Sequence, residues 1–371
     1  SATAPDPITA LDNLRQQLAV EEFIDYMIAN FYLGNADWDG SNWFASCNRF
    51  DPAGRWRWHM WDAEHCLDTG YVWLPTEDVT TKNNPMAPTG LHQKWIANPE
   101  YRMLFADRAH KHMFNNGVLT PSNFAALFAN RVNEIDRAIV GESARWGDTR
   151  RPTGPPYTRN NEWLTECNRL LQQYIPGRTN TVLGQFTSKN PAWYPSVGAP
   201  AFLINGQSMH GGDASIDDTL TIQNPNASGT VYYTKNGDDP RLPGGGVSPS
   251  ALIYNSDITL TGPLAIKARI LHNGTWSALN EAAYTCPASL LHYWHCNSLP
   301  SGTLTTIMSE YSIIPGDQIT YPGSGSGYMD RVDPGTTLNA RMDQPAGYAL
   351  RVRNPSNTRE LLLKLPTTGY Q

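Results

Sequence analysis

The sequence predicts a multidomain protein with a mainly α-helical first region, an all-β sandwich after it and a further β-rich segment at the end. Apolar residues recur at intervals of three and four in 98–115, 121–139 and 159–175, which is the period of an amphipathic helix. Proline, serine and glycine then collect in 187–200, and the short apolar runs beyond are separated by turn residues. At 371 residues, the chain is long enough for two or three domains with cores of their own.

The helical region is predicted to open with a buried helix over 17–33, which ends at Gly34 and Asn35. Its apolar residues at helical spacing are Leu18, Phe23, Met27 and Phe31. Further along, Thr120-Pro121-Ser122 is a helix start with proline in the first turn. Pro176-Gly177 is a stop signal, so the last long helix is predicted to end there.

An acidic loop follows the first buried helix, with Asp37 at its start and Asn42 five residues later. A strand-like hairpin over 42–61 comes next, and Asp62 lies at its end. In phosphoryl transfer, one aspartate orients or deprotonates the acceptor hydroxyl, while an asparagine and a second aspartate hold the divalent metal on the nucleotide phosphates. The order of these residues predicts such a site.

Four stretches carry a resemblance to a known family: YMIANFYLGNADWDGSNWF, GRWRWHMWDAEH, ESARWGD at 142–148 and RNNEWLTECNRLLQQYIPGRTNTVLGQF at 159–186. They resemble the spore coat protein H (CotH) family of atypical secreted protein kinases, over roughly residues 10–195. The resemblance implies a kinase large lobe over 1–190, with ATP and Mg²⁺ or Mn²⁺ as cofactors. It makes Asp37 the catalytic-loop aspartate, Asn42 the loop metal ligand and Asp62 the counterpart of the kinase metal aspartate. Glu64 is implied as a second metal ligand.

A kinase also needs a small lobe with a phosphate-cradling loop and a Lys–Glu pair. No glycine-rich segment precedes residue 17, and the first lysine is Lys82. The small lobe is therefore expected to be absent, which means either that the chain begins inside the domain or that the ATP site is half absent and inactive. We favour truncation, because the other end of the chain also has the pattern of an incomplete domain.

Other interpretations of the same residues stay open. The 37–42 cluster is also a typical turn composition. Asp62 and Glu64 could be a carboxylate pair for glycoside hydrolysis, although such pairs usually come from different elements. His59 and His65 lack the spacing of a zinc site and are interpreted as structural. Trp56 is predicted to stack on adenine, with core packing as the alternative.

The composition limits the partners and the compartment. A net charge of −6 argues against nucleic acid and membrane-surface partners, and no run of eighteen apolar residues is present. A charged fraction of 17% with many Trp, Tyr, Gly and Pro residues is typical of secreted carbohydrate-associated proteins. We expect an extracellular or cell-surface location, with the export signal not present in this chain. Five cysteines, 47, 66, 167, 286 and 296, leave two alternatives: a Cys47–Cys66 bridge or free thiols throughout.

A linker over 191–199 is predicted to separate the helical region from the sandwich at 200–286. The run GTVYYTKNGDDPR, with the strand pattern after it, resembles the chitobiase/β-hexosaminidase C-terminal module, an immunoglobulin-like domain. That resemblance implies a structural or weak binding role. The segment 287–371 again contains strand patterns, with a flexible loop at 323–327. We expect it either to dock on the neighbouring domain or to be an incomplete sandwich.

Together these features predict a secreted kinase-like protein that transfers the γ-phosphoryl group of ATP to a hydroxyl of a protein or glycan. The alternative is a cell-surface scaffold or carbohydrate-binding protein without catalysis, in which the β modules contact polysaccharide. A third is a polysaccharide hydrolase using Asp37 with Asp62 or Glu64.

Overall fold

The computed structural model describes residues 5–67 and 78–286 in full, and in 287–371 it describes only the backbone of seven short strands. The chain divides into two compact units, Ser1–Cys286 and Pro287–Gln371. The first unit contains a helical region followed by β-sheets, so the predicted change from helices to sheets along the chain is confirmed.

The helical region begins with α1 (Pro7–Gln17), α2 (Val20–Leu33), the short α3 (Trp38–Ser41) and the hairpin strands β1 (Trp43–Ser46) and β2 (Arg57–Met60). After a 3₁₀ turn come α4 (Pro88–Trp95), α5 (Pro99–Met113), α6 (Pro121–Ile135) and α7 (Ala138–Trp146). The last helical stretch joins a π turn at Arg159–Trp163, α8 (Leu164–Arg169), a second π turn at Leu170–Tyr174 and α9 (Ile175–Thr187). No helix of the described residues has the length and apolar character to cross a membrane.

The predicted hairpin and the ends marked by Gly34 and Pro121 are confirmed, whereas two other details are wrong. Leu18 does not belong to the buried helix, because its backbone is extended and bridges to Trp56. Pro176 does not end the last helix but lies in the first turn of α9. A π turn directly precedes it, and such a turn relieves the clash and the missing hydrogen bond of a proline inside a helix.

Helix α2 forms the centre of the helical core. Its buried side chains span most of the circumference of the helix, and α5, α9, α4 and β2 pack against it, while Glu22 lies exposed on the remaining side. The ring of Phe31 contacts Trp38, His92, Phe186 and Trp193, with centroids between 5.4 and 6.0 Å apart. Because these four elements hold α2 in place, the loop after its last residue starts from a fixed point.

The β-region of the first unit consists of β3 (Ala201–Ile204), β4 (Gln207–Ser208), β5 (Gly212–Asp213), β6 (Thr219–Gln223), β7 (Thr230–Thr234), β8 (Leu252–Ile253), β9 (Ile258–Thr259), β10 (Leu264–His272), β11 (Thr275–Trp276) and β12 (Asn280–Thr285). One sheet has the order β4-β3-β6-β9; the other has the order β5-β12-β10-β7-β8, with β11 paired to β10. Phe202 and Leu220 from the first sheet share an apolar cluster with Val231, Ile266 and Ile270 from the second. The two sheets therefore enclose one core, while the immunoglobulin-like assignment stays a prediction.

Arginines of the β-region bind carboxylates of α5. Arg269 is only 1% exposed and forms bidentate pairs with Asp107 and Asp239, at 2.6 to 2.8 Å. Arg241 forms a second bidentate pair with Glu100, at 2.7 and 2.9 Å. The sheets are thus attached to the helical region through α5.

The second unit is described through β13 (His292–Tyr293), β14 (Thr306–Met308), β15 (Tyr311–Ser312), β16 (Gln318–Thr320), β17 (Asn339–Asp343), β18 (Ala349–Arg353) and β19 (Glu360–Lys364). β17, β18 and β19 form an antiparallel sheet, and β13 pairs with β15 and β14 with β16. Cys296 and the predicted loop at 323–327 lie outside the described residues.

Candidate functional site

The carboxyl end of α2 is held by partners from distant parts of the chain. Arg178 is buried and donates to the carbonyls of Tyr32, at 2.6 Å, and Phe31, at 2.8 Å. Tyr174 donates its hydroxyl to the carbonyl of Leu33. The last carbonyls of a helix have no partner within it, and a cation there also complements the helix dipole. These contacts fix the point at which the acidic loop begins.

Gly34 turns the chain out of α2. Its backbone is left-handed, with φ of 60°, and its N–H closes the helix onto the carbonyls of Asn30 and Phe31. A side chain at this position would contact Arg178 Nη2 at 3.3 Å and the Tyr174 hydroxyl at 3.4 Å. Glycine therefore satisfies both the conformation and the close approach of these groups.

Helix α3 carries Asp37 at its amino-terminal cap and is anchored through Asp39. The Asp39 side chain is buried and accepts a hydrogen bond from Thr89 Oγ1 at 2.6 Å. The Asn84 side chain donates to the main-chain carbonyl of Asp39 at 3.0 Å. Asp39 is thus a structural carboxylate, whereas Asp37 is exposed at the start of the same turn.

The segment after the hairpin returns to this loop. The His65 carbonyl accepts from the Ala36 N–H at 2.8 Å, and the Leu67 N–H donates to the Leu33 carbonyl at 2.8 Å. Asp62 and Leu67 have left-handed backbones, with φ of 51° and 60°. These two bends enclose the segment and bring its side chains toward the start of α3.

Three donor side chains converge as a result. Atoms of Asp37, Glu64 and His65 that can bind a metal all lie within 4.8 Å of one another. Glu64 and His65 are also 3.3 Å apart from Oε1 to Nε2. Asn42, at the end of α3, donates from Nδ2 to Asp37 Oδ2 at 3.2 Å. Three of the predicted site residues, Asp37, Asn42 and Glu64, are therefore neighbours.

The other two predicted residues lie elsewhere. Among the described residues, no group of three such donors includes Asp62, which is exposed. Trp56 is 47% exposed and its main chain pairs with Gln17 and Ala19. It precedes Met60 by four positions, about 13 Å along a strand, so it lies at the end of the hairpin away from the cluster.

His65 is the residue that sequence reasoning missed. No second histidine has metal-site spacing with it, so the sequence pattern favours a structural role for this side chain. Consecutive side chains on an extended strand point to opposite faces, so adjacency to Glu64 gave no reason to expect convergence. The convergence depends on the bend of the 62–67 segment, for which the sequence offers no glycine or proline signal.

The nearby cysteine is not a nucleophile or a bridge. Cys47 and Cys66 are free thiols, so the alternative of a bridge between them is excluded, and Cys167 and Cys286 are also free. Burial, assisted by the negative charge of Glu64, raises the pKa of the Cys66 thiol to about 11. Cys66 is therefore protonated at neutral pH and supplies no thiolate.

The donor set suits a divalent cation. Carboxylate oxygens and imidazole nitrogen are metal ligands, and in the described part of the chain neither carboxylate pairs with a lysine or arginine. These residues therefore fit the metal that the kinase resemblance implies.

One comparison with known proteins gives a match, at the level of a family. Residues 3–182 match the model of the family described as CotH kinase protein. This match covers most of the helical region, including all three residues of the cluster, and indicates a kinase-like protein. A search of curated proteins found no match. A search of solved structures also found none.

Proposed function

We propose that the helical region is an atypical kinase domain that transfers the γ-phosphoryl group of metal-bound ATP to a hydroxyl of a protein or glycan. The observation that carries the proposal is the convergence of Asp37 with Glu64 and His65, within the stretch that matches the kinase family. Asp37 would accept the proton of the hydroxyl, or orient it, as the oxygen attacks the γ-phosphorus. Asn42 and Glu64 would hold the Mg²⁺ or Mn²⁺ that neutralises charge on the phosphates.

Substitution of Asp62 and of Glu64 can show which of the two carboxylates binds the metal. The family resemblance gives Asp62 the metal-binding role, whereas the geometry favours Glu64, which lies in the cluster. Glu64→Gln is expected to weaken metal-dependent ATP binding at least as much as Asp62→Asn does. The reverse order would return the metal-binding role to Asp62.

The location and wider partners form part of the proposal. We place the protein outside the cell or at its surface, in line with its low charged fraction and the secreted kinases that it resembles. The β-region would then act as a structural or polysaccharide-contacting accessory. A non-catalytic scaffold is the alternative that remains if the site binds no nucleotide.

A second candidate activity has one observation in its favour. Carboxylate oxygens of Asp37 and Glu64 lie within 4.8 Å of each other, which is close to the spacing of about 5 Å between the carboxyl groups of retaining glycosidases. Hydrolysis of a polysaccharide would need neither ATP nor a metal, so nucleotide dependence distinguishes the two activities.

The test combines ATP binding with phosphoryl transfer. ATP is titrated calorimetrically into the protein with Mg²⁺ or Mn²⁺, and transfer of radiolabel from ATP to the protein itself and to serine, threonine and tyrosine peptides is followed. Asp37→Asn keeps an oxygen donor but cannot accept a proton, so transfer should fall at least about 100-fold while ATP still binds. Asp51→Asn, at the exposed hairpin turn, is the matched control and should retain activity. Absence of ATP binding with either metal would overturn the proposal, as would full transfer by Asp37→Asn.

A further inference from the structure

We propose that Asp37, Glu64 and His65 form a binding site for a first-row transition-metal ion such as Mn²⁺ or Co²⁺, in preference to Mg²⁺. The inference specifies which metal the proposed kinase site binds. It does not rest on kinase activity, because the three side chains form the site without a nucleotide. Their donor atoms already lie within 4.8 Å of one another.

The imidazole determines the choice of metal. Mg²⁺ binds oxygen ligands in near-ideal octahedral geometry and keeps much of its water, whereas imidazole nitrogen is a ligand of the transition metals. In a site with two carboxylates and one histidine, Mn²⁺ or Co²⁺ therefore gains a bond to the imidazole nitrogen, whereas Mg²⁺ binds that nitrogen poorly. Affinity at nitrogen and oxygen sites also rises from Mn²⁺ to Co²⁺.

The backbone pre-organises these donors on two chain segments. Asp37 starts α3, which is anchored through Asp39, and the 64–65 pair is attached to the end of α2 by the hydrogen bond from Ala36 to the His65 carbonyl. Asp62 and Leu67, which flank the 64–65 pair, have left-handed backbones with φ of 51° and 60°. The segment thus holds its bend through contacts made elsewhere.

Charge and access favour a bound cation as well. Glu64 is 56% exposed and His65 is 34% exposed in their side chains, so an ion can enter from solvent. The two carboxylates stand close together with no lysine or arginine beside them in the described residues. Three protein donors leave coordination positions for water or a phosphate oxygen, as in catalytic metal sites.

The test measures metal binding to the full chain without nucleotide. Mn²⁺, Co²⁺ and Mg²⁺ are titrated separately by calorimetry, and bound Mn²⁺ is examined by electron spin-echo spectroscopy for coupling to imidazole nitrogen. We expect one Mn²⁺ or Co²⁺ per chain and at least about 10-fold weaker Mg²⁺ binding. His65→Gln should lower Co²⁺ affinity by about 10- to 100-fold, remove the nitrogen coupling and leave Mg²⁺ binding nearly unchanged.

Two controls make the result specific. His272→Gln replaces a half-buried histidine in β10 and should bind Mn²⁺ and Co²⁺ like the unsubstituted protein. Circular dichroism of His65→Gln establishes that the fold is kept. Failure of the unsubstituted protein to bind Mn²⁺ or Co²⁺ would overturn the inference, and so would unchanged Co²⁺ affinity in His65→Gln. Binding of metal without any ATP binding would instead retain this site and reject the kinase function.

Discussion

Arg178 is a buried cation at the carboxyl end of α2, 141 positions after Asp37 in the sequence. It bonds two consecutive carbonyls and lies 5.4 Å from the ring centroid of Tyr174. A buried guanidinium is tolerated only where its donors have partners, so these carbonyls offset its desolvation cost. The same bonds fix the turn from which Asp37 extends.

Replacement of Arg178 should destabilise the helical region. Arg178→Met removes both of these donors. It leaves the buried Tyr32 carbonyl without this partner and the Phe31 carbonyl with the Gly34 N–H alone, so we expect a loss of about 2–4 kcal/mol. Arg178→Lys keeps the charge without the planar fork and should cost less. Urea unfolding followed by near-ultraviolet circular dichroism measures both changes.

The control for this prediction is Arg137→Met, at an exposed arginine before α7, which should change stability by less than about 0.5 kcal/mol. A loss in Arg178→Met no larger than in this control would contradict the role assigned to Arg178.

The site was only partly predictable at the residue scale. Asp37 and Asn42 were identified from spacing, and their hydrogen bond is consistent with the phosphoryl-transfer pattern that suggested them. The pattern also selected Asp62, which the bend of its own backbone leaves outside the cluster. A long-range contact such as the one that Arg178 makes cannot be predicted from the residues around it. Which helix end an arginine binds is decided only when the chain folds.

At the scale of elements, α3 and α4 are joined by one hydroxyl group. Thr89 Oγ1 donates to the buried Asp39 carboxylate and accepts from the Asn84 N–H at 2.9 Å. Thr89 is fully buried in the first turn of α4. A four-residue helix such as α3 has little stability of its own, so this tether maintains it.

Thr89→Val keeps the shape of the side chain but removes the hydroxyl. We expect it to cost about 2–3 kcal/mol and to speed amide exchange in peptides that cover α3, since the buried Asp39 carboxylate and the half-buried Asn84 N–H lose their partner. Thr89→Ser keeps the hydroxyl and loses one methyl group, a cost of about 1 kcal/mol. Thermal unfolding and peptide-level hydrogen exchange distinguish the two. Equal or greater damage from the serine variant would show that packing, and not the hydrogen bond, maintains α3.

The spacing of apolar residues predicted the presence of helices and strands more reliably than the residues at which they end. The buried helix, the hairpin and the helices at 98–115 and 121–139 carry strong local patterns, and all are present. The failure at Pro176 has a local cause, since the π turn before it accommodates a residue that usually ends a helix. Such a turn is set by packing along the long helix and leaves no composition signal.

At the scale of the whole first unit, the Asp-Pro-Arg run at 239–241 acts inside the molecule. Asp239 holds Arg269, which in turn binds Asp107 of α5, while Arg241 binds Glu100 at the start of the same helix. By composition alone, Asp239-Pro240 is a turn dipeptide. Its charged groups instead attach the β-region to the helical region, so the β-region supports α5, whose Phe105 packs in the aromatic core. Substitutions in the run should therefore affect the helical region as well as the sheets.

The Glu100–Arg241 pair gives this attachment a dependence on pH. Hydrogen bonds from the Arg241 guanidinium, aided by the Gly244 N–H, hold the pKa of Glu100 below its ordinary value of 4.5, despite the opposing effect of burial. A carboxyl group with a lowered pKa in the folded state stabilises that state fully above its unfolded pKa. The contribution is lost as the pH falls through the folded value, because the proton must then be taken up by a paired carboxylate.

Glu100→Gln cannot titrate and should lose about 2 kcal/mol of stability at pH 7, since a charged bidentate pair becomes a neutral contact. The stability difference between the two proteins should be constant above about pH 5 and should shrink as the pH falls below 4.5. Urea unfolding between pH 7 and pH 3 measures this difference, and titration of other carboxylates cancels because both proteins share them. Glu142→Gln, at an exposed position on α7, is the matched control and should show no such trend. A difference that stays the same down to pH 3 would mean that Glu100 stabilises the attachment by packing rather than by charge.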